Sequence, residues 1–184
     1  MVKINNSYLL TNALSQWPMS KVHVFDIAAK VWFAQSTTTQ SIEYPGGSVE
    51  FPVGRTAFCS VVASAEDNSS HNIYIYGGSD GSDSAGNDIW ILTLPAFEWV
   101  LVYVRRGSDF RRTWNHRCHK IHGKHMVAYG GNNYNYTCDS NEGVRKCQGM
   151  AIYDMSSLEW TTKIEVENER YLVPERLYKI IGGG

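Results

Sequence analysis

Several features that would place a chain in a particular class of protein are missing from this sequence. Its 184 residues carry a formal net charge of −1, which excludes a dominant electrostatic attraction to nucleic acid or to an anionic membrane. No apolar run reaches the roughly 18 residues that a membrane-spanning helix needs, because the longest, 99–104, is ended by two arginines. The first residues, 1–17, do not form the uninterrupted apolar core of a signal peptide. We therefore expect no nucleic-acid partner, no membrane span and no leader in this chain, and these residues leave its localisation unknown.

The sequence also lacks the motifs of known catalytic sites. It contains no Ser/His/Asp set that its organisation would bring together, and no carboxylate pair with a catalytic spacing. We therefore predict that the chain is not an enzyme and carries no cofactor.

What the sequence does contain is an internal repeat. Three segments align without gaps, each with an apolar pair, a short polar or turn-forming break and a closing tryptophan, and they are 24–32, 91–99 and 152–160. In each segment the tryptophan stands six positions after an aspartate or threonine, at Asp26, Thr93 or Asp154. This spacing predicts two adjacent antiparallel strands joined by a tight turn.

A second repeated feature is a Gly-Gly doublet that follows an apolar strand, in 73–78, 125–131 and 177–183. Upstream of the first two doublets, the segments 55–62 and 112–121 both begin Arg-Thr and place a cysteine before an apolar pattern. Each repeat therefore holds four predicted strands, which is the composition of a propeller blade.

With the doublets and the spaced tryptophans in place, the chain resembles the kelch-repeat family, and more narrowly the kelch-repeat proteins of fungi. The resemblance implies an all-β fold, a partial kelch-type β-propeller of four-stranded antiparallel blades, two complete and two partial. It covers residues 21–183, and the predicted units are a partial blade at 21–36, blades at 55–103 and 108–163, and a partial blade at 171–183. Residues 1–20 form an N-terminal segment of uncertain structure.

The resemblance also implies properties of a longer parent. In the fungal proteins a propeller is often followed by a membrane span, so it suggests an extracellular or membrane-anchored parent. Galactose oxidase is the enzymatic comparison among propellers, but its tyrosine and histidine copper ligands have no motif match here. Propellers close with about four to eight blades, so we expect an open arc or a truncated gene model, whose open edges would favour self-association.

Two clusters of side chains invite a metal interpretation. His116, His119, His122 and His125 are spaced by threes, but the repeat places them on two strands joined near Gly123, so we favour ordinary surface and channel histidines over a metal site. A second cluster holds Asp80, Asp83, Asn87 and Asp88, whose spacing does not follow a calcium loop. We predict a flexible insertion there, and no metal in either cluster.

The remaining candidates are basic side chains and cysteines. Arg55, Arg112 and His116 are candidates for lining the central channel, although a structural role for the arginines, in which they bind backbone carbonyls, is favoured. Cys138 and Cys147 bracket a short loop and form either a local disulfide or two free thiols. A third pair, Cys59 and Cys118, occupies equivalent strand positions, where a small buried side chain suffices.

The sequence therefore predicts a non-catalytic interaction module. Its insertions 64–71, 79–87 and 132–146 would be presented to a protein partner or to a carbohydrate. The alternative is a remnant of a propeller oxidoreductase or hydrolase whose catalytic residues lie outside this chain.

Overall fold

The chain folds into three β-sheets and one short helix in a computed structural model. The residues that the structure describes are 2–4, 7–10, 19–43, 49–80, 88–103, 113–133, 150–164, 166 and 170–181. Neighbouring strands within each sheet are antiparallel, with one exception in the middle sheet. The prediction of an all-β, partial kelch-type propeller is confirmed. Among the described residues, no helix is long and apolar enough to span a membrane.

The first sheet has the order β1-β2-β3-β4. Its strands are β1 (Val2–Ile4), β2 (Ser7–Leu10), β3 (Lys21–Asp26) and β4 (Val31–Ser36). The blade predicted as partial at 21–36 has two further strands, because 1–20, the segment of uncertain structure, contributes β1 and β2. Both are short and carry no glycine doublet, so the repeat pattern does not reveal them.

The middle sheet has the order β5-β9-β8-β7-β6. Its strands are β5 (Thr38–Ser41), β6 (Cys59–Ser64), β7 (His71–Tyr76), β8 (Ile89–Leu94) and β9 (Glu98–Tyr103). Four of them form the antiparallel blade that the repeat predicts. The fifth, β5, was not predicted and pairs with β9 in parallel register.

The third sheet has the order β10-β11-β12-β13. Its strands are β10 (Thr113–Ile121), β11 (His125–Asn133), β12 (Met150–Asp154) and β13 (Glu159–Thr161). The chain then reaches helix α1 (Glu175–Ile181), whose Leu177 is fully buried. The prediction of an inner strand in 171–183 is wrong, because that segment contains α1. The blade boundaries given above stay a prediction.

The middle sheet is buried on both faces. On β7, Tyr74 and Tyr76 join a core shared with the third sheet and α1, whereas Ile73 and Ile75 join a core shared with the first sheet. Successive side chains of a strand point to opposite faces, so a strand buried on both sides is apolar throughout. This explains why 73–76 has no alternation between apolar and polar residues.

The three aligned segments adopt the same hairpin. The closing tryptophans pair with the preceding strand at equivalent positions, as Trp32 with Phe25, Trp99 with Leu92 and Trp160 with Tyr153. At the same point of each turn one residue has a positive φ, and these residues are Lys30, Phe97 and Leu158. In the first and third turns an aspartate carboxylate accepts hydrogen bonds from two backbone N–H groups, which fixes the turn. The repeat is thus present in the backbone geometry.

Candidate functional site

The middle and third sheets meet along β6 and β10, and we call the contact between these strands and the end of β7 the inter-sheet junction. The Gly78 N–H donates to the Thr113 carbonyl at 2.9 Å, and the Asn115 N–H donates to the Ala57 carbonyl at 2.9 Å. These bonds hold the start of β10 against the start of β6. The two strands therefore run side by side in the same direction.

The close approach at the junction depends on glycine at position 77. Its φ is 67°, in the left-handed region. A Cβ atom there would lie 2.5 Å from the Thr113 carbonyl oxygen and 2.7 Å from Cε1 of His116. Any side chain at position 77 would push the two sheets apart, so sheet packing requires glycine there.

A disulfide between Cys59 and Cys118 crosses the junction, and their Cα atoms are 5.5 Å apart. The sequence interpretation of this pair as small buried side chains missed the bond. The signal was present, because residues at equivalent positions of neighbouring blades face each other when the innermost strands run in parallel. Cys138 and Cys147, proposed as a local disulfide, lie outside the described residues.

His116 lies inside the junction and not on an open channel surface. Its side chain is 2% exposed and its ring contacts the edge of Tyr76, with ring centroids 5.1 Å apart. Burial lowers the pKa of His116 to about 4, and the Tyr76 backbone opposes this shift only in part. The imidazole is therefore neutral at pH 7. Neither ring nitrogen has a hydrogen-bond partner with proper geometry among the described residues.

Arg55 is 1% exposed and its guanidinium binds both carboxylate oxygens of Asp88, one of them at 2.8 Å. It also donates to the carbonyls of Gly77 at 3.2 Å and Val53 at 3.1 Å. The same carboxylate accepts a hydrogen bond from the Trp90 indole at 2.8 Å. This geometry supports the structural interpretation of Arg55, because a paired, buried guanidinium fixes the strand ends around it. The other channel candidate, Arg112, lies outside the described residues.

The four histidines spaced by threes occupy different faces and ends of the β10–β11 hairpin. His116 is buried, whereas His119 is exposed and stacks on Tyr129 at 5.7 Å. His125, at the start of β11, is buried and lies 3.8 Å from a carboxylate oxygen of Asp154. In the proposed calcium cluster, Asp88 is bound to Arg55, and the residues 81–87 lie outside the described part of the chain.

A groove of about 650 Å³ lies between the third sheet and the segment that leads into α1. Charged and aromatic side chains line it, among them Lys124, Asp154, Glu159, Trp160 and Glu175. An ion pair in its lining joins Lys124 Nζ and Asp154 Oδ2 at 3.2 Å. Burial raises the pKa of Asp154, but hydrogen bonds from two backbone N–H groups and the interaction with Lys124 together outweigh it, so the pKa is lowered and the carboxylate is charged at pH 7.

The connections between strands differ between the two ends of the sheets. Short turns, at 65–70, 95–97, 122–124 and 155–158, join strands at one end. The long connections, 77–88, 104–112 and 134–149, join them at the opposite end, which we call the insertion end. The predicted insertions 79–87 and 132–146 therefore start from the insertion end, whereas 64–71 lies at the other.

No protein-family model matches the sequence. The chain is 28% identical over 190 aligned positions to a protein of the fungus Arthroderma benhamiae named as a kelch repeat-containing protein. The match covers 90% of this chain and 26% of that protein, so the chain spans about a quarter of the length of this relative. The predicted resemblance to kelch-repeat proteins is thereby confirmed.

Proposed function

We propose that this chain is part of a non-catalytic kelch-type interaction module that binds a protein partner through its insertion end. The binding surface consists of the insertions 79–87 and 132–146. The insertion 64–71 forms a separate surface at the opposite end. The observation that carries the proposal is the convergence of the long connections on one residue, Thr113.

Thr113 lies where three long connections meet the framework, two of them at their start and one at its end. Its carbonyl accepts a hydrogen bond from Gly78, where the connection from β7 to β8 begins. On its other side it pairs with Asn133, where the connection from β11 to β12 begins. Thr113 itself follows the connection 104–112. Loops that start from one rigid point can form one composite surface, and binding residues are disproportionately found on such loops.

The buried charges described in the framework are paired with one another, which supports a binding role for the insertions. Arg55 is paired with Asp88, and Lys124 with Asp154. Removing one member of such a pair would leave an uncompensated buried charge, so these pairs stabilise the framework. We therefore assign specificity for a partner to the insertions.

The experiment replaces 81–87 and 134–146 separately with Gly-Ser segments of equal length. The matched control replaces 65–70, the turn at the opposite end. We expect each of the first two variants to lose the same captured proteins from an extract of cells that express this protein, while the control retains them. Recovery of the same proteins by both insertion variants, or their loss in the control alone, would refute the assignment.

Two other outcomes separate the alternatives. Retention on immobilised glycans, lost in the same two variants, would identify a carbohydrate ligand in place of a protein. The alternative of a propeller oxidoreductase or hydrolase remnant predicts stoichiometric copper or turnover in the oxidised protein. Metal analysis of that form tests it directly.

A further inference from the structure

The inter-sheet junction brings together three side chains that are common metal ligands. One ligand atom from each of Cys59, His116 and Cys118 lies within 4.8 Å of the other two. His116 and Cys118 are two positions apart on β10, so they point to the same face of the strand. Cys59 reaches them from β6, which the backbone bonds of the junction hold in place.

We propose that reduction of the Cys59–Cys118 disulfide converts this cluster into a zinc-binding site. Two thiolates and one imidazole bind Zn²⁺ and leave a fourth position open for water. Soft sulfur ligands also select against Mg²⁺ and Ca²⁺, which prefer oxygen. The proposal is independent of the partner-binding surface.

The state of His116 supports this assignment. A buried imidazole normally has a hydrogen-bond partner, yet both ring nitrogens of His116 lack one with proper geometry among the described residues. A bound cation would satisfy one of the two nitrogens.

The chemistry of the conversion balances with a thiol reductant. Two reductant thiols are oxidised to one disulfide, and the two electrons and two protons that they give up produce two cysteine thiols in the protein. Zn²⁺ then displaces both thiol protons, and the two thiolates neutralise its charge. Cys118 is the more exposed residue of the pair, since Cys59 is 6% exposed, so attack by the reductant is expected at Cys118. A low-molecular-weight disulfide reverses the exchange: it is reduced to two thiols, the protein disulfide re-forms and the metal is released.

The test uses the full chain with Cys138→Ser and Cys147→Ser, which removes the other two thiols. The protein is reduced with a phosphine under anaerobic conditions and titrated with Co²⁺ as a spectroscopic probe, and then with Zn²⁺ against a chromophoric chelator. We expect one equivalent of Co²⁺ with thiolate-to-metal charge-transfer absorption, displacement of Co²⁺ by Zn²⁺, and no binding by the oxidised protein.

Variants then identify the ligands. Cys59→Ser and Cys118→Ser should each abolish the charge-transfer band or halve it. His116→Gln should weaken zinc binding by more than about tenfold, since even residues that only orient a ligand change metal affinity by 10–100-fold. Should these variants fail to fold, X-ray absorption at the zinc edge of the reduced parent protein should show two sulfur ligands and one nitrogen. Absence of binding by the reduced parent, unchanged affinity in His116→Gln, or a zinc shell without sulfur would overturn the proposal.

Discussion

The disulfide across the inter-sheet junction should make a large contribution to the stability of this chain. Cys59 and Cys118 are separated by 59 positions in the sequence. Closing a loop of that length removes about 14 cal/mol/K of entropy from the unfolded chain, or about 4 kcal/mol at 25 °C. We therefore expect Cys59→Ala/Cys118→Ala to lower the free energy of unfolding by up to about 4 kcal/mol. The native-state packing of the two sulfurs adds a smaller loss of the same sign.

Urea unfolding followed by tryptophan fluorescence measures this loss, since Trp99 and Trp90 are buried in the core shared by the first and middle sheets. The background carries Cys138→Ser and Cys147→Ser, so that a reductant acts on one disulfide only. Adding a reductant to this background should reproduce the loss seen in the alanine variant, and it should have no effect on the variant itself. A change below about 0.5 kcal/mol in both experiments would refute the reasoning, because it would mean that the two strands are held in place equally well without the bond.

Three further predictions concern single side chains. Gly77→Ala should lower the free energy of unfolding by about 1–3 kcal/mol, and by more than Gly130→Ala does. Both glycines have a positive φ, but of the two only Gly77 lies where a Cβ would meet other atoms. Equal losses in urea unfolding would contradict the packing role of Gly77. Burial lowers the pKa of His116 in the folded protein to about 4, so between pH 6.5 and 4 the unfolded chain binds more protons than the folded one. The free energy of unfolding therefore decreases as the pH is lowered through that window. When the pH is lowered from 7 to 5, the free energy of unfolding should decrease by about 2 kcal/mol more in the parent than in His116→Gln. Parallel pH profiles of the two proteins would contradict the lowered pKa of His116. Trp32 is 50% exposed on the edge strand β4, so Trp32→Glu should shift the protein toward monomer in sedimentation velocity if this edge self-associates, whereas an unchanged distribution would exclude that edge.

The sequence was most informative where a local rule fixes the structure. The aligned hairpins were predictable because an aspartate at the start of a tight turn and a tryptophan after it specify the turn and the strand pairing together. Asp26 and Asp154 both cap their turns through the same carboxylate oxygen. These features act over a few residues and need no knowledge of the rest of the chain.

The sequence was least informative where a pattern fits two structures. The segment 177–183 matches the doublet pattern of an inner strand, yet Leu177, Ile180 and Ile181 are also spaced as one face of a helix. All three pack against the core between the middle and third sheets. Pro174, whose carbonyl accepts the first helical hydrogen bond, and Glu175 in the first turn are helix-start signals. The helix spacing and these start signals favour a helix more strongly than the glycine doublet favours a strand.

The candidate site was also hidden because its residues come from two sheets. Nothing local links Cys59 to His116, and only the parallel run of β6 and β10 brings them within reach. That arrangement follows from the repeat, since equivalent strands of neighbouring blades lie side by side. The repeat alignment already places Cys59 and Cys118 at equivalent positions. Their contact follows if equivalent positions of neighbouring blades are treated as neighbours in space.

The glycine doublet that first indicated a repeat also lies where the long connections meet the framework. Gly77 permits the close approach of β10, and Gly78 then binds the Thr113 carbonyl from which the insertion end is organised. The contact that packs the sheets is therefore the contact that sets the spacing of the insertions. Because of this coupling, the insertions can change in sequence while their starting points stay fixed, whereas a change at the doublet would displace every insertion at that end together.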